Sequence, residues 1–364
     1  MAAALILVLL CISGFILFRK NTLGPGEAQD GETRVSVIIP ARNEEANLPV
    51  LLASLKKQTL EPFEIIVCDD HSEDSTCEIA KSFGVTVIHS PPLPENWTGK
   101  NWAVWNGFSK SSGDVLVFLD ADVALEERAL EALINKRAET GGVISVVPFH
   151  RTVKFCEKLS LLLYMLGVLV FTSPFERKNR VQGLYGSCIV ALRADYEKIS
   201  GHSSVSSELL DDLNLGKRFV SAGVEVRNYI GCGYVSFRMY HSLRGMIDGF
   251  GKGAVLSTAN LSPATLFFTV AWIVGLLASG FGAPILLLAG HDLGLYFLAA
   301  YLIYALQILY FLRYTGQYGY IMPIFHLISS AFFILIIIYS AYRVVFIGSV
   351  VWKGRVIKVG KTGR

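Results

Sequence analysis

Charge is scarce in this chain. Asp, Glu, Lys and Arg make up 17% of its 364 residues, and 33 basic against 30 acidic residues leave a net charge of only +3. So even a balance offers no strong field to a polyanion. No stretch interleaves basic and aromatic side chains as a nucleic-acid reader does, so no nucleic-acid partner is expected. Cysteine is sparse as well. Cys11, Cys68, Cys77, Cys156, Cys188 and Cys232 lie far apart, with no C-x-x-C pair and no Cys/His group at zinc-site spacing. They read as reduced thiols that pack as small hydrophobes, which suits a chain facing the cytoplasm. What the chain has in excess is apolar side chains, 52% of residues with a mean hydropathy of +0.47. That is more than an ordinary soluble domain carries, and the length allows one sizeable core plus membrane segments.

The longest apolar runs lie towards the two ends. Residues 2–18 are apolar, and Arg19 and Lys20 come directly after. A cleaved secretion signal has its positive charge before the apolar run and a small-residue cleavage site after it. This segment (1–20) reads instead as an uncleaved anchor near the lower length limit for a span, with Arg19 and the chain beyond it in the cytoplasm. Residues 21–33, NTLGPGEAQDGET, form a polar linker with Gly and Pro. From 261 to 346 the chain is membrane-like: 266–289 and 321–342 are long enough to span, and 293–312 is apolar but rich in tyrosine. The basic tail at 347–364, with Lys353, Arg355, Lys358, Lys361 and Arg364, favours a cytoplasmic C-terminus. An even number of spans then puts 293–312 in the membrane interface; otherwise the tail lies outside. Residues 159–171 form one more apolar run, too short to span comfortably. It is either a buried core helix or a helix lying in the membrane interface, and the other membrane segments favour the second. The expectation is a multi-pass cell-membrane protein with a cytoplasmic domain over 34–260.

Within 34–260 strand and helix alternate. Apolar runs at 35–39, 64–68, 85–88, 115–119 and 143–148 read as strands, and 44–58, 74–83, 100–109 and 126–138 read as helices. Asn43 is a candidate cap for the first helix, where Glu44 and Glu45 suit the helix dipole. This βαβαβαβ order argues for an α/β, Rossmann-like, mostly parallel sheet. The run VLVFL at 115–119 is apolar on both faces, as in a strand buried on both sides, and ends in Asp120-Ala121-Asp122. Paired carboxylates at the end of a buried strand are costly without compensation. In open α/β sheets that edge is where ligands bind, and hard divalent cations take such oxygens beside phosphates. A lone D-x-D is weak evidence, and a strand end facing water explains it equally.

The other strand ends decide between these. They read PARNE at 40–44, DDHSEDST at 69–76, GK at 99–100 and DAD at 120–122. In order and spacing this set resembles the nucleotide-sugar half of inverting family-2 glycosyltransferases with the GT-A fold, over roughly 35–240. Within that family the chain is similar to bacterial carotenoid-acid glycosyltransferases. IIPARNEE at 38–45, FLDADV at 118–123, SVVPFH at 145–150, FRMY at 237–240 and VVWKGR at 350–355 carry that similarity.

The resemblance implies a membrane-bound transfer of one hexose, glucose from UDP-glucose, to a lipid acceptor of carotenoid-acid type, with Mg²⁺ or Mn²⁺ as cofactor. The implied partners are the UDP-sugar, the lipid acceptor, the bilayer and other pigment-pathway enzymes. Asp70, with Asp69, is implied near the uracil, where a carboxylate accepts from a ring N–H. Pro40, Arg42 and Glu44 match the nucleoside-pocket turn, although Arg42 reads equally as a surface cation. Lys100 opens a helix after a glycine and is either a phosphate contact or a solvated lysine. Asp122 is the implied metal ligand, with Asp120 nearer the ribose or a bound water. SELLDDLNLGKR at 207–218 resembles the family's ED-x-x-L-x-x-R motif, with Asp211 in place of Glu. By that match Asp212 is the catalytic base, in a single inverting displacement. Two acids at a helix N-terminus are also favourable without any function.

Either Arg238 or Arg244 is implied at the diphosphate. The Gln and Trp of the family's processive Q-x-x-R-W motif are absent around Arg244, which argues against a polymer-extruding synthase. His150 and His202 read as structural, and Trp97 and Trp102, which flank Lys100, as aromatic packing or, alternatively, as lining of the sugar or lipid site. GFGKG at 249–253 lacks the preceding strand of a phosphate loop. The rival readings are transfer to another membrane lipid, a non-catalytic donor-binding scaffold, and a transporter. Few charges within the apolar segments speak against the last.

Overall fold

The computed structural model describes residues 2–26, 33–179, 181–253, 261–347, 349–352 and 355–358. Part of the expected linker, 27–32, and Lys353, Lys361 and Arg364 of the tail lie outside the described residues. The chain folds as two compact units. One comprises Asn21–Phe149, Arg180–Met239 and Tyr342–Arg364; the other comprises Met1–Lys20, His150–Asn179 and Tyr240–Ala341.

The first unit is an α/β fold. Its strands up to residue 239 are β1 (Val35–Ala41), β2 (Glu64–Asp69), β3 (Thr86–His89), β4 (Val115–Leu119), β5 (Val123–Leu125), β6 (Val143–Val147), β7 (Cys188–Leu192), β8 (Val226–Ile230) and β9 (Val235–Phe237). Seven form one sheet in the order β3-β2-β1-β4-β7-β6-β8. All its neighbours run parallel except β7, which is antiparallel to both β4 and β6. The expected mostly parallel sheet is therefore present. Every residue of β4 and β6 is buried, as the unbroken apolar run of β4 requires; in β6 the buried Ser145 hydroxyl donates to Asn228 Oδ1 (2.6 Å). The helix Gly99–Lys110 lies close on β1 and β2: a Cβ at Gly107 would stand 2.4 Å from Cys68 Sγ and 2.7 Å from Ile38 Cγ2. The described part of the basic tail forms an antiparallel hairpin, Ser349–Trp352 with Arg355–Lys358.

The expected helix at 44–58 is shorter, spanning Leu48–Leu55 with Asn47 at its N-cap and Pro49 in its first turn. Asn43 is not the cap; it takes a left-handed φ of 52°. The preceding backbone N–H groups are directed elsewhere, Glu44 N–H to Thr76 Oγ1 (2.8 Å) and Glu45 N–H to Asp74 Oδ2 (3.1 Å).

The second unit is helical, apart from a short parallel pairing of Gly316 with His150 and Gln317 with Arg151. Its long helices are Ala2–Leu17, Pro263–Leu288, Leu293–Thr315 and His326–Tyr342. A polar contact joins three of them. Trp272 Nε1 donates to Gln307 Oε1 (2.6 Å), and Gln307 Nε2 donates to the Cys11 carbonyl (2.9 Å).

Among the described residues, two helices are long and apolar enough to cross a membrane, Pro263–Leu288 and Leu293–Thr315. The apolar run at 321–342 suggests a second long span there, but the helix begins only at His326 and has 17 residues. Pro323 stands in the turn before it, where a missing N–H and the restriction on Met322 oppose an earlier start. The expected interface helix is also revised. Leu161–Phe171 has buried side chains at Leu161, Leu162, Tyr164, Met165, Leu166, Val168 and Leu169, the pattern of a core helix. All six cysteines are free thiols, as expected.

Candidate active site

The carboxyl ends of β1, β2 and β4 bring most of the expected residues to one edge of the sheet. Register pairs Pro40 with Cys68 and Ala41 with Asp69, so the turn after β1 meets the turn after β2. Arg42 fastens the two. Its Nη1 donates to the carbonyls of Asp70 (2.6 Å) and His71 (3.1 Å), and its Nη2 lies 3.8 Å from Glu73 Oε1. Arg42 is therefore a clamp between turns and not a solvated surface cation. Asn43 Oδ1 accepts from Glu73 N–H (2.8 Å), and Glu44 Oε2 accepts from Asn47 Nδ2 (2.8 Å). His71 also has a positive φ, 56°. Asp74 caps the next turn by accepting from Thr76 N–H (3.0 Å).

Asp69 and Asp70 are both buried. Burial pushes the Asp69 carboxyl upward, but hydrogen bonds from Ser72, Cys77 and His89 outweigh it and hold the group below the usual range. Ser72 N–H reaches Oδ1 at 3.1 Å, and His89 Nδ1 lies 3.4 Å from Oδ2. Asp69, Cys77 and His89 offer O, S and N atoms within 4.8 Å of one another. That mixed set differs from the all-oxygen set that Mg²⁺ or Mn²⁺ favours.

The centre of the site is Lys100. It stands in the first turn of Gly99–Lys110, whose N-cap Thr98 accepts from Asn101 N–H (3.3 Å). A cation there opposes the helix dipole, so it needs anions nearby. Lys100 Nζ lies 2.8 Å from Asp120 Oδ1. Burial lowers the ammonium, yet Asp120, Asp211 and Asp212 outweigh it and hold Lys100 above the ordinary lysine range. Lys100, with a side chain 32% exposed, is thus paired as well as solvated: it ties the end of β4 electrostatically to the two acids that begin the helix Asp211–Ser221.

The acids at 211 and 212 face different surroundings. Asp212 Oδ2 accepts from Gly186 N–H (3.0 Å) and Oδ1 accepts from Leu213 N–H (2.9 Å). Asp211 is buried, and its Oδ2 lies 4.0 Å from His202 Nε2. His202 is buried as well. Its Nδ1 lies 2.7 Å from the Tyr196 hydroxyl, which also accepts from His202 N–H at 3.0 Å. Desolvation depresses the imidazole to about 4, against an upward pull from Asp211, so it is neutral at physiological pH. Asn101 fixes the intervening segment by donating to the carbonyls of Val205 (2.8 Å) and Ser206 (3.1 Å).

Asp122 lies in the turn after β4, and its carbonyl accepts from Arg238 N–H at 3.4 Å. The antiparallel pairing of β5 with β9, Val123 opposite Phe237, sets Arg238 beside it. Arg244 is in the other unit, on the helix Leu243–Gly253, with a side chain 94% exposed and 3.9 Å from Asp248. GFGKG lies on that same helix and forms no loop. Trp97 and Trp102 pack edge to face at 4.9 Å, as expected. Asn101 and Tyr196 carry no motif that would single them out in the sequence, and His202 reads there as structural. Only the spacing of His202 to the acids at 211 and 212 hints at more.

Residues 36–200 match the family model described as Glycosyl transferase family 2. The chain is 36% identical over 280 residues to 4,4'-diaponeurosporenoate glycosyltransferase of Staphylococcus haemolyticus (strain JCSC1435), covering 74% of each chain. It is 30% identical over 357 residues to the protein of that name from Staphylococcus aureus (strain USA300), covering 96% of this chain and 95% of the relative. A similar solved structure is the mannosyltransferase PcManGT from Pyrobaculum calidifontis in complex with GDP-Man and Mn²⁺. Its TM-score is 0.56 at 16% identity, covering 94% of this chain and 96% of that one, a likeness of fold.

Proposed function

This chain belongs to glycosyl transferase family 2, with a GT-A fold, and from that premise we propose that it transfers one glucose from UDP-glucose to a carotenoid carboxylic acid at a membrane surface. That it is a glycosyltransferase follows from the family. The observation that carries the site is the Lys100–Asp120 pair at 2.8 Å, in the field of Asp211 and Asp212, at the carboxyl edge of the sheet. The acceptor class is supported by the relatives' names, and the role in pigment synthesis follows with it.

In this reading Asp69 and Asp70 meet the uracil, in a pocket whose wall is the Pro40–Arg42–Glu44 turn. Arg238, beside Asp122, meets the diphosphate. Asp120 and Asp122 offer the hard oxygen donors that suit Mg²⁺ or Mn²⁺. Asp122 is the carboxylate that would hold the ion, with Asp120, paired with Lys100, nearer the ribose or a bound water. A bound divalent ion would supply Lewis-acid stabilisation of the diphosphate. The chain's own residues orient the donor, bring a carboxylate to the acceptor and offset the charge between them. One displacement inverts the sugar, from an α-linked donor to a β-linked product.

A membrane location is supported by the apolar faces of the helical unit. Phe267, Ile285, Leu295, Leu306 and Leu335 are each more than 60% exposed, and lipid is the solvent that suits them. The helices Pro263–Leu288 and Leu293–Thr315, long and apolar enough to cross a membrane, support the same location. The test is an assay on the full chain in membranes. It offers labelled UDP-glucose, Mn²⁺ or Mg²⁺, and either a carotenoid acid, a diacylglycerol or a polyprenyl phosphate, with mass analysis of the lipids. A hexose on the carotenoid acid is expected. A hexose on another lipid would overturn the acceptor, and donor binding without transfer to any lipid would point to a scaffold.

A further inference from the structure

We propose that Asp69, Cys77 and His89 form a binding site for one Zn²⁺ ion, separate from the Mg²⁺ or Mn²⁺ that Asp122 would hold. The proposal stands on these three side chains and does not depend on the proposed glucosyl transfer.

The spacing of the three along the chain matches no zinc motif, and only the fold assembles them. Asp69 ends β2 and His89 ends β3, and the parallel register sets them opposite each other. Ser90 N–H donates to the Asp69 carbonyl at 2.9 Å, which fixes the two strand ends together. Cys77 is the second residue of the helix Thr76–Ser82, which connects the same two strands. Two ligands are thus held by the sheet and the third by the first turn of a helix, so little ordering is needed when a cation enters.

The donor set points to zinc. An imidazole nitrogen, a thiolate sulfur and a carboxylate oxygen suit Zn²⁺, whereas Mg²⁺ and Mn²⁺ favour oxygen throughout. A tetrahedral Zn²⁺ has bonds of about 2.0–2.1 Å to N and O and about 2.3 Å to S, so its N and O ligands stand about 3.4 Å apart and its S and N ligands about 3.6 Å apart. His89 Nδ1 lies 3.4 Å from Asp69 Oδ2 and 4.0 Å from Cys77 Sγ. The first separation is already met. The second closes by about 0.4 Å, which a side chain covers within one rotamer well. The thiol proton passes to water as the cation takes its place, and coordination through Nδ1 leaves the ring proton of His89 on Nε2. The His89 side chain is 61% exposed, so the cation has a path from solvent and a water can complete the fourth position.

Asp69 Oδ1 keeps its bond from Ser72 N–H at 3.1 Å while Oδ2 meets the cation, and that bond orients the ligand. The cation staples the ends of β2 and β3 to the helix start at the root of the turn that carries Asp70, whose carbonyl Arg42 holds at 2.6 Å. With Asp69 engaged by the cation, the contact to the uracil falls to Asp70.

The test is zinc binding to the full chain, purified in detergent without a histidine tag and measured in excess Mg²⁺ so that hard oxygen sites are filled. The wild type is expected to retain one equivalent of Zn²⁺ after dialysis and to melt higher with it than without it. Cys77→Ser, and His89→Gln at an exposed side chain, are expected to weaken zinc by more than about 100-fold, because losing a group that only orients a ligand already costs about 10–100-fold. Asp122→Ala is expected to bind zinc as the wild type does. With Co²⁺ in place of Zn²⁺, a near-ultraviolet thiolate-to-cobalt absorption is expected in the wild type and not in Cys77→Ser. The site is overturned if the wild type retains no zinc, if Cys77→Ser or His89→Gln retains it undiminished, or if bound Co²⁺ shows no thiolate absorption. Zinc lost from Asp122→Ala and kept by Cys77→Ser would overturn it too, by placing the ion with the donor. These readouts are independent of turnover, so a chain that binds zinc at Cys77 and transfers no sugar would refute the transfer and leave this site standing.

Discussion

The two units bury their apolar residues in opposite ways. In the sheet unit the central strand Val115–Leu119 is apolar and buried throughout, and the charged residues of the site stand at strand ends. In the helical unit the covered positions include polar and small residues such as Gln307, Ser279, Ser329 and Ser340, while Phe267, Ile285 and Leu306 face outward. The first pattern suits water outside, the second suits hydrocarbon. Chemistry in the sheet unit sits where a buried strand stops and must leave its charges compensated. In the helical unit, polar contacts such as Trp272 with Gln307 hold helices together.

If that contrast is right, substitutions at the strand ends change turnover and those in the helix contacts change stability. Asp122→Ala is expected to have the largest effect of these, a loss of about 10²–10³-fold in metal-dependent turnover, as for removal of a group that stabilises developing charge. A metal titration of activity that matches the wild type would remove Asp122 from the site. Lys100→Met should cost about 10²-fold, because Asp120 and Asp211 would then share one region without a cation. Lys100→Arg should recover part of this in the same kinetic assay. Gln307→Leu should leave UDP binding unchanged and lower stability by about 1–3 kcal/mol by orphaning Trp272 Nε1, which thermal unfolding in detergent would show. An altered affinity for UDP in that variant would break the separation between the units.

The smallest effect concerns pH. His202 is depressed to about 4 in the fold against an ordinary value near 6.5. Between those values the unfolded chain binds a proton that the folded one refuses. The contribution is full above about pH 6.5 and is lost as pH falls towards 4. The melting temperature should therefore fall across that window, and the fall should be shallower in His202→Gln.

Much of the sheet is legible in the sequence because a strand buried on both faces leaves an unbroken apolar run. Val115–Leu119 is the clearest case, and its terminal acids mark the edge where the site lies. The start of the helix Leu48–Leu55 is misleading because Asn43, Glu44 and Glu45 look like a helix beginning. Their N–H groups go instead to side chains about 30 residues away, a pairing that local pattern does not encode. The shortened helix at His326 is hidden by apolar residues on both sides of Pro323, where hydropathy outweighs the backbone signal. Asp211 and Asp212 stand out together, but the different contacts they make are not legible. Adjacent residues on a helix point about 100° apart, and what each meets depends on Lys100 and Gly186, both distant in sequence, as well as on the nearby His202. Arg238 and Arg244 are likewise indistinguishable until the pairing of β5 with β9 sets one of them beside Asp122.

The most direct test of the account is the anomeric configuration of the lipid product made from UDP-glucose carrying ¹³C at C1, read by NMR. The account predicts a β-linked glucosyl ester of the carotenoid acid, because one displacement past a single acceptor-side carboxylate inverts the donor. An α-linked ester would require two displacements or attack from the donor face, and would contradict the single displacement proposed here.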